Sequence, residues 1–139
     1  MTPASPILIT MGDPVGIGPE VVVRAFRDGA ADGCVIVGDL AVMARALHVV
    51  GWQTPVAPLA SLHQVPPPGA LPVWQPPSLP ARLAALQWGH VHADAGRAAA
   101  SCVEAAARAV LAGEGAALVT APLNKAALAA AGIDVPGHT

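Results

Sequence analysis

The sequence predicts an α/β domain built from parallel βαβ units. Two observations carry this. Short apolar runs rich in β-branched residues at 6–11, 34–37 and 116–120 read as buried strands. The first two are each followed by a Gly-Asp pair, Gly12 with Asp13 and Gly38 with Asp39, and then by apolar residues at three- and four-residue spacing. Strand, loop and helix repeated in that order is the pattern of parallel strands joined by right-handed crossovers.

Residues 6–11, PILITM, form the first strand, with Ile7, Ile9 and Thr10 as its β-branched positions. Residues 12–18, GDPVGIG, form a loop. Pro19 suits the first turn of a helix, where its missing N–H costs nothing and its fixed φ is already helical. Glu20 falls in the same turn, where the positive end of the helix dipole favours a negative charge. That helix runs through Val22, Val23 and Phe26 and ends near Gly29. The second strand, CVIV, covers 34–37. Residues 40–50 are helical in pattern, with Val42, Met43, Ala46, Leu47 and Val50 on one stripe and Gly51 placed to stop it.

Residues 53–80 are rich in proline and read as an irregular excursion. Two short strands, around Val56 and at 71–74, are expected at a sheet edge, where proline is tolerated. Residues 94–113 give the clearest helix, with Val103, Ala106, Ala107 and Val110 as its apolar stripe. Glu104 and Arg108 form an i,i+4 pair in the favoured order on its outer face. A third buried strand, AALVT, follows at 116–120. The loop 121–123 leads into a short helix over 124–131, closed by Gly132, and IDVPGHT heads into a final loop.

Composition bounds the function. The 139 residues are one domain's worth of chain. Hydrophobic residues make up 54 % and charged residues 12 %, with a mean hydropathy of +0.56, which excludes a disordered chain. A net charge of −2 argues against nucleic acid or an anionic membrane as partner. The longest uncharged stretch, 46–81, is interrupted by nine prolines and cannot form a spanning helix. No basic segment precedes an apolar core at the N-terminus, so no signal peptide is expected. Cys34 and Cys102 lack metal or redox spacing and are expected to be reduced and buried in a cytoplasmic protein. So apolar a small chain is expected to pack a large partner surface or to be part of something longer.

Parallel sheets bind ligands beyond the carboxyl ends of their strands. The loop 12–18 is the most informative such position. Its glycines let backbone N–H groups approach a ligand closely, and the helix N-terminus behind them suits an anion. GDPVGIGPE is neither a GxGxxG fingerprint nor a P-loop, and a packing turn accounts for the glycines equally well. Asp13 either caps a turn or points into a site. Lys125, near a helix start where a cation is disfavoured, either pairs with a carboxylate or phosphate or is simply exposed. His90 and His92, two apart, are a weak metal-pair signal without a nearby third ligand. His48 and His63 read as ordinary surface or half-buried residues. His138 beside Thr139 can donate to a phosphate or carboxylate or act as acid or base, or can be a frayed chain end.

Four segments, in order and spacing over nearly the whole chain, carry a family resemblance: ITMGDPVGIGPE at 9–20, VGDL at 37–40, GHVHADAGRAA at 89–99, and VTAPLNKAAL with AGIDVPGHT at 119–139. The chain resembles 4-hydroxythreonine-4-phosphate dehydrogenase of pyridoxal phosphate biosynthesis and its relatives acting on phosphorylated four-carbon sugar acids. The resemblance implies the two-domain α/β fold of the isocitrate and isopropylmalate dehydrogenases, truncated here, with residues 1–139 as the N-terminal portion. It implies NAD- or NADP-dependent oxidation of a secondary alcohol followed by loss of carbon dioxide, a homodimer, and a divalent metal (Zn, Mg or Co) held by histidines. His138 and Thr139 inherit substrate contact from the family's GHT motif. Gly12, Asp13, Gly16, Gly18, Thr120 and Lys125 are expected to line the same cleft. The resemblance places the metal ligands, the nicotinamide site and further basic substrate ligands beyond this segment, so no metal ligand and no catalytic residue is assigned within it. The 139 residues alone are therefore expected to lack dehydrogenase activity.

Overall fold

A computed structural model of the chain describes residues 5–133. One sheet holds β1 (Ile7–Thr10), β2 (Cys34–Val37), β3 (Val56–Pro58), β4 (Leu71–Trp74) and β5 (Ala117–Thr120), all parallel, in the order β3-β4-β2-β1-β5. The helices are α1 (Gly18–Arg27), α2 (Leu40–Val50), α3 (Ala93–Leu111) and α4 (Lys125–Ala130), with a 3-10 turn at Leu83–Ala85.

From β1 to β2 to β3 the chain steps toward one edge of the sheet; from β4 to β5 it steps back past β2 and β1. Right-handed crossovers in opposite directions place α1 and α2 on one face and α3 on the other. The packing agrees, since α1 lies against α2 and α3 against α4. Leu8, Ile36, Val37, Leu71 and Val73 are fully buried between these layers. Burial on both faces explains why β1, β2 and β4 read as continuous apolar runs and not as alternating ones.

Helix ends follow from their flanking residues. The Asp39 carboxylate accepts from Val42 N at 2.9 Å and caps α2, and Gly51 ends it at φ +79°, a left-handed conformation that favours glycine. Pro19 and Glu20 sit in the first turn of α1 as the sequence predicts. The Asn124 side chain accepts from Ala127 N at 3.1 Å and caps α4.

Four expectations need correction. β4 is an interior strand, lying between β3 and β2. Its proline is tolerated because Leu71 and Val73 make the bonds to β3, so the Pro72 nitrogen faces β2, whose ladder begins only at the Ile36–Val73 pair. The buried stripe of α3 is Ala95, Gly96, Ala98, Ala99, Cys102, Ala106 and Ala109, with Val103, Ala107 and Val110 half-buried at its flank. Small side chains let α3 approach sheet and α4 closely; Gly96 carries this furthest, since a Cβ there would overlap the Ala127 carbonyl. Cys34 is half-buried where full burial was expected, because it opens β2 at the rim of the sheet. β5 is covered only in part: Ala117 and Val119 are exposed, while Leu118 and Thr120 on the opposite side are half-buried.

Candidate functional site

The loops after β1 and β5 diverge at the carboxyl edge of the sheet. The first leads to α1 on one face; the second leads to α4, packed on α3 on the other face. Such a divergence between neighbouring strands is the topological switch point at which open α/β sheets bind ligands. The two loops are tied together there: Asp13 N donates to Pro122 O at 3.0 Å, and Ala121 N to Thr10 O at 3.3 Å. Motif segments about a hundred residues apart in sequence thus meet at one place.

Gly12 is required where it stands. Its φ is +74°, and a Cβ there would lie against the Pro122 carbonyl. At Gly18, the first residue of α1, a Cβ would strike Met11 O, so the helix can begin only this close to β1 with glycine. At Gly16 a Cβ would come within 2.9 Å of the Asp13 carboxylate. That carboxylate is buried and folds back on its own loop, accepting from Val15 N at 3.1 Å. Of the two readings open for Asp13, the structure shows the turn cap.

Thr120 is half-buried and pairs in register with Thr10 at the ends of β5 and β1. The Thr10 side chain is fully buried, and its Oγ1 has no hydrogen-bond partner, the one such buried side-chain atom among the described residues. Lys125 opens α4 and is exposed, with no ion pair among the described residues. His138 and Thr139 lie outside the described residues.

The structure adds residues that the sequence reading missed. Met11 is fully buried, and its Sδ accepts from Asp39 N at 3.3 Å, linking the loops after β1 and β2. Gln75 Oε1 accepts from Leu40 N at 2.8 Å at the start of α2. Arg45 of α2 donates to Pro14 O and Ala84 O, each at 2.6 Å. Burial lowers the Arg45 pKa, an effect the nearby Asp39 charge opposes. One signal for it was present: Arg45 is a charge between Val42 and Ala46, next to the buried stripe of α2.

Among the described residues the donor set does not fit a metal. His90 and His92 lie with ring centroids 6.3 Å apart, and a His92 ring nitrogen is 3.1 Å from Gln87 O. Among the described residues no three His, Cys, Asp or Glu come together as a metal site would require. Nor does the Gly12–Gly18 turn have the glycine spacing of a dinucleotide fingerprint. Both cysteines are free thiols. Burial, with a smaller contribution from the Asp39 charge, pushes the Cys102 thiol up to about 12, which makes it a poor nucleophile. Burial and the charge of Asp32 also raise Cys34.

A hollow of about 430 Å³ lies at the opposite, amino-terminal edge of the sheet, among Pro6, Phe26, Cys34, Val65 and Pro72. It is far from the paired loops, and parallel sheets place their ligands at the carboxyl edge. Among the described residues no helix is long and apolar enough to cross a membrane.

Comparison with known proteins places these loops in a family. Residues 30–139 match the family described as pyridoxal phosphate biosynthetic protein PdxA. The D-threonate 4-phosphate dehydrogenase of Salmonella typhimurium is 42 % identical over 139 residues, covering 96 % of this chain and 41 % of the relative. The 4-hydroxythreonine-4-phosphate dehydrogenase of Geobacter metallireducens is 38 % identical over 137 residues, covering 96 % of this chain and 40 % of its own. The crystal structure of 4-hydroxythreonine-4-phosphate dehydrogenase from Klebsiella pneumoniae superposes with a TM-score of 0.86 at 34 % identity, over 97 % of this chain and 42 % of that one. The chain therefore spans about two-fifths of the length of these relatives.

Proposed function

The chain belongs to the family of the pyridoxal phosphate biosynthetic protein PdxA, and on that premise we propose that it forms the N-terminal part of a dehydrogenase for a small phosphorylated hydroxy acid. In this reading the whole enzyme oxidises 4-phosphooxy-L-threonine with NAD or NADP and decarboxylates the product to 3-amino-2-oxopropyl phosphate, in pyridoxal 5'-phosphate biosynthesis. It works as a cytoplasmic homodimer with a divalent metal (Zn, Mg or Co). Among the described residues no cluster of donors fits the metal, and no chemical step is assigned to them.

What these residues supply is binding. The observation that carries the reading is the Asp13–Pro122 hydrogen bond, which joins the glycine-rich turn to the loop before Lys125 at the switch point of the sheet. The α1 N-terminus behind Gly16 and Gly18 suits an anionic group. Lys125, exposed and unpaired among the described residues, provides a countercharge at the same edge. His138 and Thr139 touch the substrate, and Thr120 lines the cleft.

One observation favours a second reading. The Salmonella typhimurium relative, at 42 % identity, is a D-threonate 4-phosphate dehydrogenase. The two substrates differ at C2, an amino group against a hydroxyl.

Thermal melts of the 139-residue chain test this with 4-phosphooxy-L-threonine, D-threonate 4-phosphate, inorganic phosphate and NAD. Both phosphorylated acids are expected to raise Tm, and NAD is not; a ligand at a hundred times its Kd adds about 2.7 kcal/mol. The acid giving the larger shift at equal concentration selects between the two substrates. A shift with inorganic phosphate alone marks a non-catalytic phosphate-binding remnant. No shift with either acid overturns the binding role. Turnover by this chain with NAD overturns the placing of the redox machinery outside it.

A further inference from the structure

The glycine-rich turn is held from outside as well as from β5. Arg45 Nη2 donates to Pro14 O and Arg45 Nη1 to Ala84 O, both at 2.6 Å. The Trp88 ring lies over the guanidinium, with its centroid 4.7 Å from Arg45 Cζ, well within cation–π range. Gly89 N then donates to Val15 O at 3.3 Å. Residues 84–89 therefore form a strap, tied to the turn through one arginine and one backbone bond.

These contacts act on consecutive peptide units. The carbonyls of Pro14 and Val15 are both drawn toward the strap, and Val15 N is held from the other end by the Asp13 carboxylate. With the peptides of residues 14 and 15 pinned in this way, the orientation of the following backbone, through Gly16 to the start of α1, is restricted. That backbone is the surface assigned to the anionic substrate. A planar guanidinium is suited to the task because it reaches two carbonyls at once in a fixed fork while presenting its flat face to an aromatic ring; a lysine ammonium has neither property.

We propose that Arg45 is a positioning residue: through Pro14 and Ala84, with Trp88 stacked on it, it holds the turn at residues 12–18 in the shape that binds the phosphorylated acid. Arg45 does not itself meet the ligand. The inference rests on the substrate class proposed above, and its test separates the two.

In the native protein, hydrogen exchange over residues 12–18 is compared for the parent, Arg45→Lys and Trp88→Ala. Arg45→Lys keeps the charge, and Trp88 is an exposed side chain, so at least one variant retains the fold, as judged by unchanged exchange in β2 and α3. Expected is exchange about tenfold faster in residues 12–18, the scale of one lost charge-assisted hydrogen bond. Arg45→Lys also changes Trp emission, a change lost when Trp88→Phe is added. In turnover assays of the whole enzyme that contains this segment, KM for the phosphorylated acid rises about tenfold in Arg45→Lys while kcat changes less than twofold. Unchanged exchange over residues 12–18 in the folded variants overturns the clamp. Faster exchange with an unchanged KM overturns the positioning role and leaves the proposed substrate class standing. If the parent binds no phosphorylated acid, the functional reading fails, and the clamp is decided by exchange alone.

Discussion

Thr10 ends β1 with a fully buried hydroxyl that no group satisfies. Leaving such a group unpaired costs about 1–3 kcal/mol, whereas an apolar group of the same shape costs nothing comparable. Thr10→Val is therefore expected to raise the urea midpoint, by about 1 kcal/mol of stability; a loss of similar size would show that the hydroxyl has a partner in solution. Cys102 sets a pH dependence. Below its ordinary pKa of 9.0 the thiol is protonated both folded and unfolded, and burial has no cost. Between 9.0 and about 12 the unfolded thiol ionises and the native one does not, so stability falls as pH rises, by roughly 1.4 kcal/mol per pH unit. Chemical denaturation from pH 8 to pH 11 should show this slope, and Cys102→Ala should flatten it. Single residues were legible in sequence where backbone chemistry decides, as at Gly51 and Pro19. Arg45 was not, because its partners are the carbonyls of Pro14 and Ala84, and a carbonyl looks the same in every residue.

At the scale of elements, α4 is only six residues long and cannot hold itself together in water. Its stability comes from the Asn124 cap and from lying close on α3 at Gly96. Gly96→Ala brings two opposing effects. Helix propensity gains about 1 kcal/mol, and the new methyl meets the Ala127 backbone, a rigid overlap costing typically about 1–3 kcal/mol. Overlap wins, because neither backbone can yield by rotating a side chain. The variant should lose about 1 kcal/mol and show faster exchange across residues 125–130; unchanged exchange there would mean that α4 does not depend on this approach. The strands and helices of the βαβ units were readable from apolar runs and spacing. The register of α3 was misjudged because in an alanine-rich helix every face resembles an apolar face, and close approach, not side-chain size, chose the buried one.

Over the whole molecule, two helical layers lie on opposite faces of one sheet. Asp39→Ala removes the α2 cap on one side, at about 1 kcal/mol, and Gly96→Ala disturbs the other. With no shared partner, their effects should add to within about 0.5 kcal/mol in urea unfolding; a larger coupling would show that the sheet transmits strain between its faces. The sequence by itself determined the parallel α/β class, the order of the main elements and the glycine positions of the turn. Those follow from local chemistry: β-branched runs, helix caps, and the conformations open only to glycine. Tertiary structure alone decided that β4 lies inside the sheet, that the Asp13 carboxylate caps its own turn, that the loops after β1 and β5 meet at Asp13 and Pro122, and that Arg45 ties the first of them to residues 84–89. Each of those depends on which distant segments become neighbours, and a crossover connection fixes that only when the whole sheet has assembled.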